Sequence, residues 1–403
     1  MKKKLFPLML SLALLLSGCS LGDFSALTPI GDTSGSSGLS AASEEISILN
    51  TESPEAPTFQ TPLVSAQAEI LLWAREQLAP TVQDTYDRLD TAIACHQESP
   101  VEVEATMEEV QLALTALRID HPEYFWFDGQ ASYVSTTTLL GETVSCELSY
   151  SMTMEEVQQA LQQVEEYVSA CLCSPEVAGA QTDYDKILAV YRYIINNTDY
   201  VLSEPDQSFF SVMTRGQGTC AGYARCFQYL MHRLSIPCTL ALGYGDGGEN
   251  HGWNVVSCNG QWYHVDVTWG DPVDQAGNPG TSLEYTYCML TDEEIFRTHT
   301  HDGVLPIPAC SATEFNYYRK SGLQMTVWDS AKYESLMRTA LDRGDSWLTV
   351  RFDRQEDFDA AMHTLITNSG IMTIFSNCAI SVPEDGVTYS HNDTFLEFSV
   401  KIS

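Results

Sequence analysis

Residues 216–271 read GQGTCAGYARCFQYLMHRLSIPCTLALGYGDGGENHGWNVVSCNGQWYHVDVTWGD. The first half spells a helix. Ala224, Phe227, Leu230, Met231 and Leu234 recur at three- and four-residue steps, the spacing of one buried helical stripe. Pro237 stops the helix, and Cys220 opens it after the turn Gly216-Gln217-Gly218-Thr219. Cys220 is therefore expected in the first turn, where unpaired backbone N–H groups and the helix dipole favour a thiolate. Gly218 and Gly222 are expected to leave room for a substrate backbone, with Thr219 and Tyr223 beside them.

The second half spells a hairpin. Residues 251–257 and 261–267 read as strands, and Asn259-Gly260 between them is the strongest short hairpin-turn signal. A two-residue turn sets Cys258 opposite Gln261, and counting back sets Trp253 opposite Asp266. His251 lies two residues from Trp253 and so on the same face. His251 and Asp266 become diagonal neighbours, roughly 7 Å apart at the backbone. A slip of one residue would put them on opposite faces.

Cysteine, histidine and aspartate in this arrangement fit acyl-transfer chemistry. A thiol is nucleophilic as its thiolate. An imidazole can take the thiol proton and return it to a leaving amine. A carboxylate orients the imidazole and stabilises its charged form. The N–H groups at the helix start, including that of Cys220, are placed to hold a developing oxyanion. Trp253, Tyr263 and Trp269 are expected to serve as core or wall, and Asn254 and Asp271 to tie down loops near the site.

Three separated pieces of this region resemble the transglutaminase-like superfamily of cysteine acyltransferases and peptidases. They are Gly218-Thr219-Cys220-Ala221-Gly222-Tyr223-Ala224, His251-Gly252-Trp253-Asn254 and Trp262-Tyr263-His264-Val265-Asp266-Val267-Thr268-Trp269. The resemblance covers about residues 180–320. It implies a papain-like α+β core, a cysteine-bearing helix packed on an antiparallel sheet. It also implies Cys220 as nucleophile, His251 as general base and acid, and Asp266 as orienting carboxylate. Gly252 stands where the family often has alanine, and Phe210 where many relatives have tyrosine.

The chain begins MKKKLFPLMLSLALLLSGCS. A basic start and a short apolar run make residues 1–18 a secretory signal. Leu16-Ser17-Gly18-Cys19 resembles a bacterial lipobox, which implies lipid on Cys19 and a protein anchored on the extracytoplasmic face of a bacterial membrane. Residues 19–63, rich in Ser, Gly, Thr, Ala and Pro, read as a flexible tether.

Residues 64–175 read as an α+β leader. One helix is expected around Ile70, Leu71, Trp73 and Leu78, and a second over 101–117. Strands are expected at 131–139 and 144–152, and a helix after the capping box Thr153…Glu156. Residues 176–320 hold the candidate catalytic domain, with a helix at 183–196, a Gly/Pro-punctuated loop at 273–285 and a strand within 285–290. A capping box at Thr291…Glu294 follows. Residues 321–403 read as a small α+β unit of order β-α-β-α followed by two or three strands.

Among 403 residues, 54 are acidic and 20 basic, a net charge of −34. That balance argues against nucleic acid and favours cationic or neutral ligands. Twelve cysteines and export permit disulfides, with Cys171-Leu172-Cys173 as a candidate segment. His299, His301 and Asp302 are ligand-type side chains without a second pair at metal spacing, so no metal is expected, nor any organic cofactor. Two functions fit. One is a thiol enzyme acting on peptide or protein amides, with a cell-wall-associated substrate in prospect. The other is a catalytically silent module that grips cell-wall glycan or peptide with Trp253, Tyr263 and Trp269.

Overall fold

The computed structural model describes residues 71–138, 141–201, 208–272, 283–382 and 386–403. The signal sequence, Cys19 and the tether lie outside the described residues, as does most of the loop expected at 273–285. No helix among the described residues is long and apolar enough to cross a membrane. The fold is mixed α+β, and the chain divides into two compact units, one of residues 74–161 and one centred on residues 162–403.

In the first unit α1 (Pro80–Ala94) is followed by β1 (Val101–Val103), α2 (Met107–Asp120), β2 (Phe127–Thr138) and β3 (Gly141–Tyr150). The strands form one antiparallel sheet in the order β1-β3-β2. Two sequence expectations change here. Of the helix expected around Ile70, Leu71, Trp73 and Leu78, Ile70 lies outside the described residues; among the others a single turn, Trp73–Glu76, is helical, and the longer α1 begins at Pro80, whose missing N–H suits the first helical position. The helix expected over 101–117 begins only at Met107, because Thr106 and Glu109 form a capping box there. The preceding Val-Glu-Val alternates buried and exposed as a strand should.

His121, at the end of α2, is buried between carboxylates. Its Nδ1 is 2.8 Å from Glu123 and its Nε2 3.4 Å from Asp90, while Tyr124 donates to Asp90 and stacks on the ring. Burial works against the charged ring, but the carboxylates of Glu123 and Asp90 outweigh it and push the imidazolium up to about 9.

The second unit is entered through α3 (Met154–Leu172), whose start at the Thr153/Glu156 capping box is as expected. Then come α4 (Asp183–Asn197), α5 (Phe209–Arg215), α6 (Cys220–Arg233), β4 (Cys238–Tyr244), β5 (Asn250–Cys258), β6 (Gln261–Val265), β7 (Cys288–Leu290), α7 (Asp292–Ile295) and β8 (Thr300–His301). The strands make an antiparallel sheet in the order β8-β4-β5-β6-β7. Asn259 and Gly260 both have positive φ, as the expected two-residue turn requires, and Cys258 pairs with Gln261. Asn254 Nδ2 donates to the Ala224 carbonyl, which fastens β5 to α6.

Gly243 sits between β8 and β5, paired with His301 on one side and His251 on the other. A Cβ there would lie 1.9 Å from the Thr300 carbonyl oxygen. At Gly252, where relatives often have alanine, a Cβ would meet nothing closer than 3.6 Å.

The C-terminal residues of this unit add β9 (Gln324–Met325), α8 (Ser330–Arg343), β10 (Trp347–Phe352), α9 (Gln355–Met362), α10 (Gly370–Asn377), β11 (Tyr389–Asn392) and β12 (Glu397–Lys401). Their sheet runs β9-β10-β12-β11, with β9 and β10 parallel. The second helix of the expected order, α9, runs on into a π turn, His363–Thr367, and α10 intervenes before the strands. The sheet has its own core of Tyr333, Met337, Val350, Phe352, Phe375 and Phe398. Phe395, by contrast, packs in the cluster of Trp253, Trp269 and Tyr287. Arg351 is bound by Glu397 and donates to the Thr286 carbonyl, and Thr286 donates to Glu397. The cysteines among the described residues are free thiols, Cys171 and Cys173 included.

Two outcomes follow from these contacts. The His121 pair stabilises the first unit fully below the ordinary histidine range near pH 6.5, and that contribution is lost as pH rises through about 9. Hydrogen exchange of peptides spanning residues 86–127 should show parent and His121→Gln far apart at pH 6 and converging by about pH 10; a constant difference would mean the charge is irrelevant. In the second unit, Gly243→Ala should lower the urea unfolding free energy by about 2 kcal/mol, while Gly252→Ala should stay within about 0.5 kcal/mol. Equal effects would show that the β8–β4 approach is not as close as described.

Candidate active site

The candidate residues lie at the start of α6 and along the β5–β6 hairpin. Cys220 is the first residue of α6, after Thr219 in extended conformation, so the expected first-turn position holds. Its side chain is buried. The glycines around it need a correction. A Cβ on Gly218 would lie 2.5 Å from Val212 Cγ2, and one on Gly222 would lie 3.1 Å from both Val212 Cγ2 and the Ser208 carbonyl. The missing side chains make room for α5 and the residue before it, not for a substrate. Tyr223 is also structural: its hydroxyl lies 2.6 Å from Asp271 Oδ2 and 3.0 Å from the Thr198 carbonyl, and its single proton goes to the nearer carboxylate. Burial pushes the Asp271 carboxyl up to about 6, against the lowering effect of the Tyr223 hydrogen bond.

His251 Nε2 lies 2.7 Å from Asp266 Oδ2, and both side chains are about 1% exposed. The register that the Asn-Gly turn imposes therefore carries through to the pair. The ladder of β5 and β6 ends at Asn254–Val265, and the Asp266 N–H turns to the Tyr287 carbonyl instead. With Nε2 on the carboxylate, any proton exchanged between His251 and a thiol must pass through Nδ1.

Asp266 is more heavily held than the sequence suggested. Oδ1 accepts the backbone N–H groups of Thr268 (2.9 Å) and Trp269 (3.1 Å). Oδ2 accepts His251 and also His299 Nε2 at 3.1 Å. Burial alone would raise this carboxyl, but the two imidazoles together hold it well below the usual carboxylate range. Burial lowers the affinity of His299 for a second proton, so the ring is a neutral donor. Its other nitrogen, Nδ1, is 3.0 Å from the Thr298 hydroxyl.

In the sequence His299 stands out only as one of three ligand-type side chains with His301 and Asp302. No local pattern marks it, because its partner is 33 residues away and the contact depends on the turn through α7 into β8.

The aromatic residues do not form an exposed wall. Trp253 and Tyr263 are fully buried, and Trp269 is nearly so. Trp253 Nε1 donates to His264 Nδ1 at 3.0 Å, and His264 Nε2 is 2.8 Å from Asp292. Trp253 stacks on His251, and Trp269 packs against it at 5.4 Å. These rings fix the imidazole from behind because they are part of the sheet's core.

Two triplets of ligand-type side chains occur among the described residues, His251/Asp266/His299 and His264/Asp292/Cys310. In the second, an indole N–H can only donate, so His264 must accept at Nδ1 and carry its proton on Nε2 toward Asp292. A metal on Nε2 would reverse that tautomer and break the Trp253 bond. In the first, both Nε2 atoms donate to the ionised Asp266. Both triplets are thus hydrogen-bonded clusters that place protons. Cys310 remains a thiol, pushed far up by burial and then by Asp292.

A family model for the transglutaminase-like superfamily matches residues 172–267. Human kyphoscoliosis peptidase is 28% identical over 204 residues, which is 44% of this chain and 31% of that protein. The mouse kyphoscoliosis peptidase is 27% identical over 204 residues, with the same coverage. The chain thus spans about a third of the length of these relatives. A solved structure described as a TGase is similar at 16% identity over 42% of this chain and 51% of that one, with a TM-score of 0.25. The match to the transglutaminase-like superfamily falls on residues 172–267, the segment that contains Cys220, His251 and Asp266.

Proposed function

We propose that the chain is a thiol acyl-transfer enzyme acting on peptide or protein amides, with Cys220, His251 and Asp266 as its triad. The observation that carries this reading is the buried 2.7 Å pair of His251 Nε2 and Asp266 Oδ2, built by a hairpin whose turn fixes its register. Support comes from Cys220 at the first position of α6 and from the family match.

In this mechanism the Cys220 proton passes to His251 Nδ1, and the thiolate attacks the amide carbonyl carbon. The oxyanion is met by N–H groups at the start of α6. His251 Nδ1–H then protonates the leaving amine as the C–N bond breaks, leaving a thioester on Cys220. Water, deprotonated by Nδ1, attacks the thioester and releases a carboxylic acid and the thiol. An amine in place of water gives a new amide. Asp266 stays ionised and stabilises the imidazolium. Hydrolysis is the favoured outcome, because nothing in the sequence suggests a dedicated site for a lysine acceptor. From the sequence start we further propose lipid anchoring at Cys19, an extracytoplasmic location and a cell-wall-associated substrate, with residues 19–63 as tether and residues 64–175 and 321–403 as accessory domains.

One observation favours a second reading, a catalytically silent surface module: the Cys220 side chain has no exposed surface. Alkylation separates the two. Iodoacetamide labelling of Cys220, followed by peptide mapping of residues 60–403 against pH, should persist well below pH 7 in the parent and be lost in His251→Ala. A plain profile near the ordinary thiol value of about 8.5, unchanged by His251→Ala, supports the silent module. Product analysis of a glutamine peptide, with and without a primary amine, decides the acceptor. Glutamate and free ammonia should dominate in both; amine incorporation outrunning hydrolysis would overturn the hydrolytic assignment.

A further inference from the structure

Asp266 carries a second imidazole that the triad does not require. His251 and His299 both donate through Nε2 to the same oxygen, Oδ2, at 2.7 and 3.1 Å. The three side chains are buried, so water does not compete for that oxygen. We propose that His299 is a positioning residue of this site: its N–H fixes Asp266 Oδ2 and thereby sets the orientation and basicity of His251. The proposal rests on the triad reading above and adds a fourth member to it.

The geometry gives His299 this role for three reasons. Oδ1 is pinned by the Thr268 and Trp269 N–H groups, so Oδ2 alone decides where the His251 ring is held. Removing the His299 donor leaves one hydrogen bond on that oxygen and lets the carboxylate rock about the Oδ1 anchor.

Second, the tautomer of His299 is fixed by Asp266, and the Thr298 hydroxyl is free to match it. Asp266 is ionised and can only accept, so Nε2 holds the His299 proton, and Nδ1 accepts from the Thr298 hydroxyl. The donor is thus presented to Asp266 and not spent elsewhere. The groups facing His299 are Asp266, His251, His264, Trp253, Trp269 and Tyr287. Of these only Asp266 is anionic, and the imidazoles of His251 and His264 oppose a second positive charge. The ring therefore stays a neutral donor.

Third, the segment that carries His299 is itself tied to the hairpin at both ends. Asp292, at the start of α7, receives His264 of β6. His301, in β8, pairs with Gly243, which pairs with His251. His299 lies between these two ties, held in the same frame as its partner.

A shared oxygen also has an electronic effect. Part of the charge on Oδ2 is taken up by His299, which slightly weakens its hold on the His251 imidazolium, but the loss of orientation when the donor is removed outweighs that electronic gain. Loss of the donor should disorder the ring and change its titration, and an apolar side chain of similar bulk should not replace it. Glutamine should, because its amide N–H reaches about as far as Nε2.

The test uses the chain from residue 60 and four proteins: parent, His251→Ala, His299→Leu and His299→Gln. The readout is the rate of iodoacetamide alkylation at Cys220 between pH 5 and 9, with thermal unfolding as a check on folding. The parent should react on the acid side, and His251→Ala should abolish that reactivity. His299→Leu should reduce the rate at pH 6 by about tenfold and move the profile toward that of a free thiol, and His299→Gln should remain within about threefold of the parent.

If His251→Ala changes nothing, the triad reading fails and the proposal falls with it. If His251→Ala acts but His299→Leu matches the parent, the triad stands and the positioning role is overturned. If Leu and Gln are equally impaired, the ring and not its N–H is what matters, and the proposal is again overturned. A measurement on the parent alone guards against a variant that does not fold. In histidine-labelled protein, the 15N shifts of His299 should report a neutral ring protonated at Nε2 and bare at Nδ1 across pH 5–9. The opposite tautomer, or a ring that protonates within that range, rules the role out.

Discussion

The interaction on which the site depends is the burial of one ionised carboxylate. Asp266 has no exposed surface. Moving a carboxylate out of water costs several kcal/mol unless its oxygens are fully bonded. Here both oxygens are: one by two backbone N–H groups, the other by two imidazoles. The backbone donors come from the residues directly after Asp266, so the turn that ends β6 exists partly to serve its charge. The imidazoles come from β5 and from the segment before β8. Three pieces of chain are thereby forced to converge on one atom group, and the hairpin, the α7 turn and the outer strand are held in register by the same charge.

That constraint explains why so much of the surrounding polarity is arranged as donors with one permitted direction. An indole N–H, two backbone N–H groups and imidazoles whose protons are placed by a donor-only indole or an accept-only carboxylate leave little freedom to reshuffle. Trp253 fixes His264, and His264 meets Asp292. His299 meets Asp266 from the same stretch of chain that supplies Asp292. The two His–Asp contacts run in opposite senses, each unit of chain giving one imidazole and one carboxylate. Such reciprocal pairing resists sliding in either direction, since a shift that relieves one contact strains the other. Gly243 completes the arrangement by letting β8 lie against β4, so that the His299 backbone is held at a fixed distance from the hairpin.

The parts of this that were legible in the sequence are those set by local rules. The Asn-Gly turn fixed a register, and the register set His251 and Asp266 on one face; the pair at 2.7 Å is the direct result. The capping boxes at Thr153 and Thr291 marked helix starts that hold. The spacing of Ala224, Phe227, Leu230 and Met231 marked α6, and its first residue is Cys220. The illegible parts depend on residues far apart in the chain. A glycine beside a nucleophile suits a substrate or a neighbouring helix equally well from sequence, and only the position of Val212 shows that Gly218 and Gly222 serve the helix. Aromatic residues near a site suit a wall or a core equally well, and the hydrogen bond of Trp253 to a buried imidazole decides for the core. α1 is hard to read because Ala79, before Pro80, gives it no side-chain cap, and β1 because three residues are too few to show an alternation against the helix that follows.

The C-terminal sheet is joined to the sheet that carries His251 through a few buried groups. Phe395, from the turn between β11 and β12, packs with Trp253, Trp269 and Tyr287, and these are the rings behind His251. Arg351 and Glu397 bind Thr286, two residues before β7. The buried guanidinium needs both its carboxylate and the Thr286 carbonyl, because an unpaired charge in that position would cost several kcal/mol. The C-terminal sheet is therefore coupled to the wall of the site through groups that cannot be left unsatisfied. Truncating it would expose Phe395's neighbours and strand the Thr286 carbonyl beside the strand that receives the Asp266 N–H through Tyr287. Its packing bears on the ring positions around His251, and through them on the same carboxylate from which the rest of the site is built.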